Sequence, residues 1–445
     1  MSLQIVAGGS GAGKSTYIYS DVIEKSMKYP EKNYIVVVPE QYTMATQKKL
    51  VESHPRKGIL NIDVVSFERL SYKVFEEIGG QNYPVLDDTG KNLIVRKVLG
   101  DNRDKLRYFG SNINKTGFVS ELKSVISEFL QYDIDVKRLG EIRERVEDSR
   151  QLSAKLDDIS VVYSAFKEYL ADNYITSEEI LSVLCSVIDR SENIKRSEII
   201  LDGFTGFTPI QYRLIELLLI YSGKVTVSVT ADSREKLNVN EGIQQLFFMS
   251  KEMVSKLYRI CDTIHVDVLN PIILDNEKNP RFVSDEIAFL EKNIFRNNNQ
   301  SYNKKCEDIK IITAQTPKEE LNYCISEILR LTRYEGYRYR DIAIVSADMA
   351  SYGILAGNIC RQNRIPCFVD NKKPVTDNPF VEYIRSALEI IEKSFTYDSM
   401  FRYLRSGMSG ISREDVDLLD NYCLAVGIRG SKQWHGTWVK KGRGR

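Results

Sequence analysis

Gly8-Gly9-Ser10-Gly11-Ala12-Gly13-Lys14-Ser15 is a complete G-x-x-x-x-G-K-[ST] loop, and its flanks decide the fold. Leu3-Gln4-Ile5-Val6-Ala7 before it reads as a short apolar strand. Thr16 to Lys28 after it carries Ile18, Val22 and Ile23 at helical spacing and stops before Pro30. Strand, glycine-rich turn and helix N-terminus in that order bind an anion, because unpaired amides and the helix dipole converge there. The glycines let backbone N–H groups close around phosphate oxygens. Lys14 reaches the β- and γ-phosphates, and the Ser15 hydroxyl is placed to ligate Mg²⁺. The expected phosphate-binding set is Gly8, Gly9, Ser10, Gly11, Ala12, Gly13, Lys14, Ser15 and Thr16, with ATP and Mg²⁺ as ligands.

Outward from the loop, strand and helix alternate. Tyr34-Ile35-Val36-Val37-Val38 is an apolar run of the kind buried on both faces of a parallel sheet. A helix over 42–52, a strand at Ile62-Asp63-Val64-Val65 and a helix from Glu68 to Ile78 follow at βαβ spacing. From 84 to 195 the alternation stops, and 88–99, 117–131, 151–171 and 177–189 read as helices with no convincing strand between them. Strands resume at Glu198-Ile199-Ile200-Leu201 and Val225-Thr226-Val227-Ser228-Val229, with a helix over Pro209 to Tyr221 between. The polar stretch 270–305, with Asn297-Asn298-Asn299-Gln300, reads as a linker. A second βαβ pattern follows: strands at Ile309 to Thr313, Asp341 to Ser346 and Ile365 to Val369, helices at Pro317 to Tyr334 and Ser351 to Asn363. The expected division is 1–83 with 196–290 as a first α/β domain and 84–195 as a helical insertion. A second α/β domain takes 305–379, and 380–445 starts a further helical insertion.

With 445 residues, 42% of them hydrophobic and 28% charged, the chain has the composition of an ordinary globular protein with real cores. No run approaches a membrane span, and no basic, apolar leader precedes the first strand, so a cytoplasmic protein is expected. The seven cysteines (185, 261, 306, 324, 360, 367, 423) include no C-x-x-C pair, which points to reduced thiols and away from a zinc or iron–sulfur site in this stretch. His54, His265 and His435 stand far apart and read as surface or packing residues. A net charge of +1 gives no vote for nucleic acid, so any DNA-binding surface must be local; the basic end Lys440-Lys441-Gly442-Arg443-Gly444-Arg445 reads as a solvated tail.

A P-loop needs a carboxylate at the end of a nearby strand for the metal's shell. Asp202, after Ile199-Ile200-Leu201, is that candidate; a helix-capping aspartate is the other reading. Hydrolytic motors usually add a glutamate beside it as general base for water. Here the next residue is Gly203, which has no side chain to take a proton.

Asp202-Gly203-Phe204-Thr205-Gly206-Phe207-Thr208-Pro209-Ile210-Gln211-Tyr212 sits where superfamily 1 helicases carry a DE-x-Q-D segment. Its wording resembles the AddB members of the AddAB family, bacterial ATP-dependent helicase/deoxyribonucleases. Val38-Pro39-Glu40-Gln41-Tyr42-Thr43, Val64-Val65-Ser66-Phe67-Glu68-Arg69-Leu70, Tyr339-Arg340-Asp341-Ile342-Ala343-Ile344-Val345 and Ile365-Pro366-Cys367-Phe368-Val369-Asp370 are similar to that family's motifs in the same order. Asp420-Asn421-Tyr422 and Gly427-Ile428-Arg429-Gly430 with Trp434 extend the likeness to about 438.

The resemblance implies a P-loop NTPase of superfamily 1 helicase-like architecture, with two RecA-like parallel-sheet domains carrying helical insertions. It implies a heterodimer with an AddA-like helicase–nuclease partner, acting on double-strand DNA ends for recombinational repair. The AddB side of such a complex tracks the 3′-terminated single strand and reads the Chi signal. The family's nuclease domain and its iron–sulfur cluster belong to a C-terminal half that these residues do not match, so neither nuclease activity nor a cluster is expected here. Working motors also place an arginine finger early in the second domain. That segment reads Ser346-Ala347-Asp348, with Arg338, Arg340 and Arg361 out of register. A finger is worth on the order of 10³–10⁵ in rate, so nucleotide binding with little hydrolysis is expected, and no catalytic residue is assigned. ATP would then act as a ligand that sets the angle between the two domains.

Single-stranded DNA needs aromatic platforms and a groove that follows the backbone. Tyr42 and Phe67 follow strand ends on the nucleotide-side rim, and Phe204, Thr205 and Phe207 lie in the loop after Asp202. Each aromatic reads equally as a stacking platform or as core. Arg69 and Lys73 read equally as phosphate contacts or as a solvated face. Three other functions fit the same motifs: an active DNA-dependent ATPase, a small-molecule P-loop kinase and an interaction scaffold for the partner chain.

Overall fold

The computed structural model describes residues 1–439 apart from 80–83, 111, 114, 133, 147–148, 172–173, 240–241, 275–278, 297–299, 371–374 and 376–377. Asn297 to Asn299 of the expected linker and the basic end Lys440 to Arg445 therefore lie outside the described residues. The chain divides into two compact units, Met1–Ile309 and Lys310–Arg445.

The first unit opens with β1 (Ser2–Gly8), α1 (Lys14–Lys28), β2 (Asn33–Val37), α2 (Thr43–Ser53), β3 (Ile62–Val65) and α3 (Phe67–Glu77). After an intervening subdomain come β6 (Ser197–Leu201), α10 (Pro209–Tyr221), β7 (Lys224–Thr230), α11 (Phe248–Thr263), β8 (Asp267–Val268), β9 (Ile272–Ile273) and α12 (Asp285–Asn293). The sheet runs β3-β2-β6-β7-β1-β8, with β9 also on β1, and every pairing is parallel. Both faces are covered, which is why the strands are apolar without alternation. Along β2, Ile35 and Val37 join one core with Leu201, Val227 and Phe67. Tyr34 and Val36 join the other, with Ile18, Val22 and Ile23 of α1. Strand β7 separates the P-loop strand from β6, whose end carries Asp202.

The subdomain between α3 and β6 comprises β4 (Val85–Leu86), α4 (Asp88–Asp101), α5 (Thr116–Gln131), α6 (Val136–Glu144), α7 (Arg150–Leu170), β5 (Ile175–Thr176), α8 (Ile180–Val187) and α9 (Glu192–Lys195). It is helical as expected, with its own core of Val95, Leu99, Ile126, Val162 and Phe166. Two features depart from the sequence reading. A two-residue parallel bridge, Val85↔Ile175 and Leu86↔Thr176, pins the two ends together; two residues are too few to show periodicity. Helix α6 was hidden because only Leu139 of it is buried. Lys91 is almost wholly enclosed and pairs with Asp88 at 2.9 Å and Glu178 at 2.7 Å. Buried Asp158 accepts the backbone N–H groups of Arg107, Tyr108 and Phe109.

The stretch 270–305 is not a simple linker. It contains β9 and α12, and Glu286 accepts the N–H groups of Glu307 and Asp308, which holds the segment's end within the first unit.

The second unit holds α13 (Pro317–Tyr334), α14 (Met349–Gln362), α15 (Pro379–Glu392), α16 (Tyr397–Arg405), α17 (Arg413–Val426) and α18 (Ser431–Trp434). The helices fall where the sequence places them. The three expected strands do not form: 309–313, 341–346 and 365–369 carry no strand pairing among the described residues. Apolar sequence supplies only half of a strand, and the other half is a neighbour to accept and donate its ladder bonds. These segments have none, and Ile311, Val345 and Phe368 stand about nine-tenths exposed. No helix among the described residues is long and apolar enough to cross a membrane.

Candidate nucleotide and nucleic-acid site

The loop between β1 and α1 turns at Gly11 and Gly13, with φ of 81° and 94°, a region that glycine alone enters without strain. Helix α1 begins with no side-chain cap and no acidic residue in its first turn, so nothing negative competes at its positive end. Lys14 Nζ donates to the carbonyls of Gly8 (3.0 Å) and Gly9 (2.8 Å), folded back over the loop. Burial holds its pKa below the usual lysine value, and Asp202 opposes that shift. These residues fit a nucleotide's phosphates.

Asp202 ends β6 because Val37 O binds its N–H and carries the sheet ladder to that point. Thr208 then caps α10 in a reciprocal box with Gln211, and Pro209 fixes the first turn, so the loop 202–208 is held at both ends. The Asp202 carboxylate is buried and both oxygens accept hydroxyls. Ser228 Oγ, from the intervening strand β7, donates to Oδ1, and Tyr19 Oη, from α1, donates to Oδ2 at 2.6 Å. Gly203 N in turn donates to Ser228 Oγ at 3.2 Å. Ser15, Tyr19, Val38, Tyr42, Thr46, Lys49, Asp202 and Gly203 surround a cavity of about 250 Å³. Ser15 and Asp202 thus share one cavity, the arrangement a hydrated Mg²⁺ needs, with Tyr19 already bound to Asp202.

Gly203 has φ of 83°. A Cβ there would meet Pro39 Cδ at 3.6 Å and Tyr42 Cδ2 at 4.0 Å, which is ordinary contact. Space is therefore available beside the aspartate, but the backbone conformation penalises any side chain other than glycine's.

Of the DNA candidates, Tyr42 is half exposed on the turn before α2, and Thr205 is exposed in the 202–208 loop. Phe67 is a correction: at 6% exposure it is a core residue. It packs against Phe204 (5.2 Å between ring centroids) and Phe207 (6.3 Å), and so has no free face for a base. Phe204 and Phe207 are half-buried, and Phe207 continues the stack to Tyr212. Arg69 pairs with Glu40 at 3.2 Å and Lys73 with Asp63 at 2.6 Å, exposed pairs that hold each side chain only weakly.

Sequence reasoning missed four residues. Tyr19 lies four residues after Ser15, hence on the same face of α1, and that spacing was a usable signal. Ser228 shares the polar face of β7 with Lys224, Thr226 and Thr230 and is the one fully buried residue of that set. Asn279 and Arg281 had no signal. The pairing of β9 with β1 brings them to the loop, where Asn279 Nδ2 donates to Ser10 O at 2.8 Å and Arg281 Nη1 to Ser10 Oγ at 3.2 Å.

The family described as "ADDB, N-terminal" matches residues 5–291. The chain is similar to the B component of the ATP-dependent helicase/deoxyribonuclease of Lachnoclostridium phytofermentans, 45% identical over 445 residues, covering 99% of this chain and 39% of that protein. The same component of the Clostridium novyi enzyme (36% identical; 98% of this chain, 38% of that protein) and of the Caldanaerobacter subterraneus enzyme (35%; 98% and 37%) is similar over the same span. The chain thus spans about two-fifths of the length of these curated relatives.

Proposed function

The chain belongs to the AddB N-terminal family, and on that premise we propose that it is the ATP-binding, single-stranded-DNA-binding part of the AddB component of a helicase–nuclease, with little hydrolysis of its own. The observation that carries this is Gly203. The residue after the metal-side aspartate has no side chain, and its positive φ disfavours one. A hydrolytic motor positions water with a carboxylate at this point, and Gly203 offers no group to take that proton. The absence of an arginine within Ser346-Ala347-Asp348 supports the same conclusion.

The intact phosphate loop, with Lys14, Ser15 and Asp202 around it, supports binding. ATP then works as a ligand that biases the arrangement of the motor-like units. Exposed Tyr42 and the Phe204–Thr205 edge of the 202–208 loop support a stacking surface for a single strand. In the whole protein this reading extends to pairing with an AddA-like partner, tracking the 3′-terminated strand, reading Chi and resecting double-strand breaks.

The test is ATP turnover by the purified chain, with and without single-stranded DNA, beside Lys14→Ala, together with binding of a fluorescent ATP analogue. Binding that Lys14→Ala weakens at least about tenfold, with turnover no higher than the variant's, is expected. DNA-stimulated turnover that Lys14→Ala abolishes would overturn the reading and make the chain a motor.

A further inference from the structure

We propose that Tyr19 is a positioning residue that takes over part of the metal's place at Asp202, so that this site binds ATP with little dependence on Mg²⁺. The inference rests on the nucleotide-binding reading above. Mg²⁺ keeps most of its waters when it binds a nucleotide, and those waters must be accepted by carboxylates such as Asp202. Here each oxygen of Asp202 already accepts a hydroxyl, from Ser228 and from Tyr19, and the carboxylate is buried. Tyr19 also lines the same cavity as Ser15, the expected direct ligand, and Thr46. It therefore stands between the two groups a hydrated cation would have to bridge. Its ring is fixed: it is buried among the residues around α1, and Lys49 lies over it at 5.4 Å. Each oxygen keeps one further lone pair, so the waters of a cation arriving with ATP must share this buried carboxylate with the phenol, which weakens what the aspartate offers them.

The experiment is titration of the full chain with a fluorescent ATP analogue in Mg²⁺ and in EDTA, for wild type and Tyr19→Phe. The substitution removes only the hydroxyl and keeps the ring under Lys49. Mg²⁺ is expected to improve wild-type affinity less than about threefold. In Tyr19→Phe it is expected to improve affinity about tenfold or more, the worth of one hydrogen bond to a charged group. A purely structural role would weaken binding equally in both buffers and leave the ratio unchanged. A larger Mg²⁺ effect in wild type, which needs no variant, overturns the proposal, and so does an unchanged ratio in Tyr19→Phe. Absence of binding by wild type in both buffers instead overturns the nucleotide-binding reading, and this inference with it.

Discussion

Gly203→Ala isolates the cost of the backbone conformation beside Asp202. At φ 83° an L-residue loses about 1–2 kcal/mol to the clash of its Cβ with the adjoining carbonyl. Removing a glycine also restricts the unfolded chain, which offsets about 0.4–1 kcal/mol. The new methyl contacts, 3.6 Å from Pro39 Cδ and 4.0 Å from Tyr42 Cδ2, add no clash. The net is a loss of about 1 kcal/mol, or about 1–2 °C in melting temperature for the unit Met1–Ile309. Gly206→Ala, three residues on in the same loop, is the control: nothing lies within 4 Å of its added Cβ and its φ is not positive, so it should change stability by under about 0.5 kcal/mol. Gly203→Asn should fall between the two, since asparagine tolerates this conformation. Thermal unfolding of the full chain followed by circular dichroism reads all three. A Gly203→Ala protein as stable as Gly206→Ala would refute the claim that the backbone excludes a side chain there.

Gly203→Glu should carry the same loss and still show no DNA-stimulated ATP turnover, because Ser346-Ala347-Asp348 still lacks an arginine finger; a phosphate-release assay checks it. Tyr42→Ala should weaken single-stranded DNA binding by about 1–3 kcal/mol at constant salt while leaving the melting temperature unchanged, whereas Phe67→Ala should cost about 3–5 kcal/mol of stability by emptying a core aromatic site. In the helical subdomain, Lys91→Ala should destabilise by about 3 kcal/mol, because it leaves half-buried Glu178 without its cation. The same ion group sets a pH window. Hydrogen bonding from Lys91 lowers the Asp88 pKa, Glu178 is also lowered despite burial, and Lys91 is raised despite its own. Depressed carboxylates contribute stability above their ordinary pKa and lose it as pH falls through the lowered one. The raised lysine contributes fully below 10.5 and loses its share above that. Wild type should therefore lose stability faster than Lys91→Ala at both extremes, as denaturant melts across pH can show.

The first sheet was legible because each strand is buried on both faces and so reads as an unbroken apolar run; Tyr34 to Val38 is the clearest case. The loop and Asp202 were legible because phosphate chemistry constrains residue types at fixed spacing. The remainder depended on partners that sequence does not display. Phe67 looked like a rim aromatic until Phe204 and Phe207 covered it. Segments 309–313, 341–346 and 365–369 have strand composition but no neighbour among the described residues. Asn279 reaches Ser10 only through a two-residue pairing, and nothing in a polar stretch announces that.

The order of the sheet also sets a timetable. Strand β1 is made first, yet its partners begin at Lys224, Asp267 and Ile272, with Leu3 opposite Val225. During synthesis at about 5–20 residues per second, the phosphate loop's strand waits roughly 10–40 s for its first neighbour. In that interval Leu3, Ile5 and Val6 have no sheet to enter, while α4, α5 and α7, whose shared core lies between Ile94 and Leu170, can close around Phe166. A strand written more than 200 residues before its first partner is thus among the last parts of its sheet to become ordered. Its apolar edge is what a nascent chain must be kept from presenting to its neighbours on the ribosome.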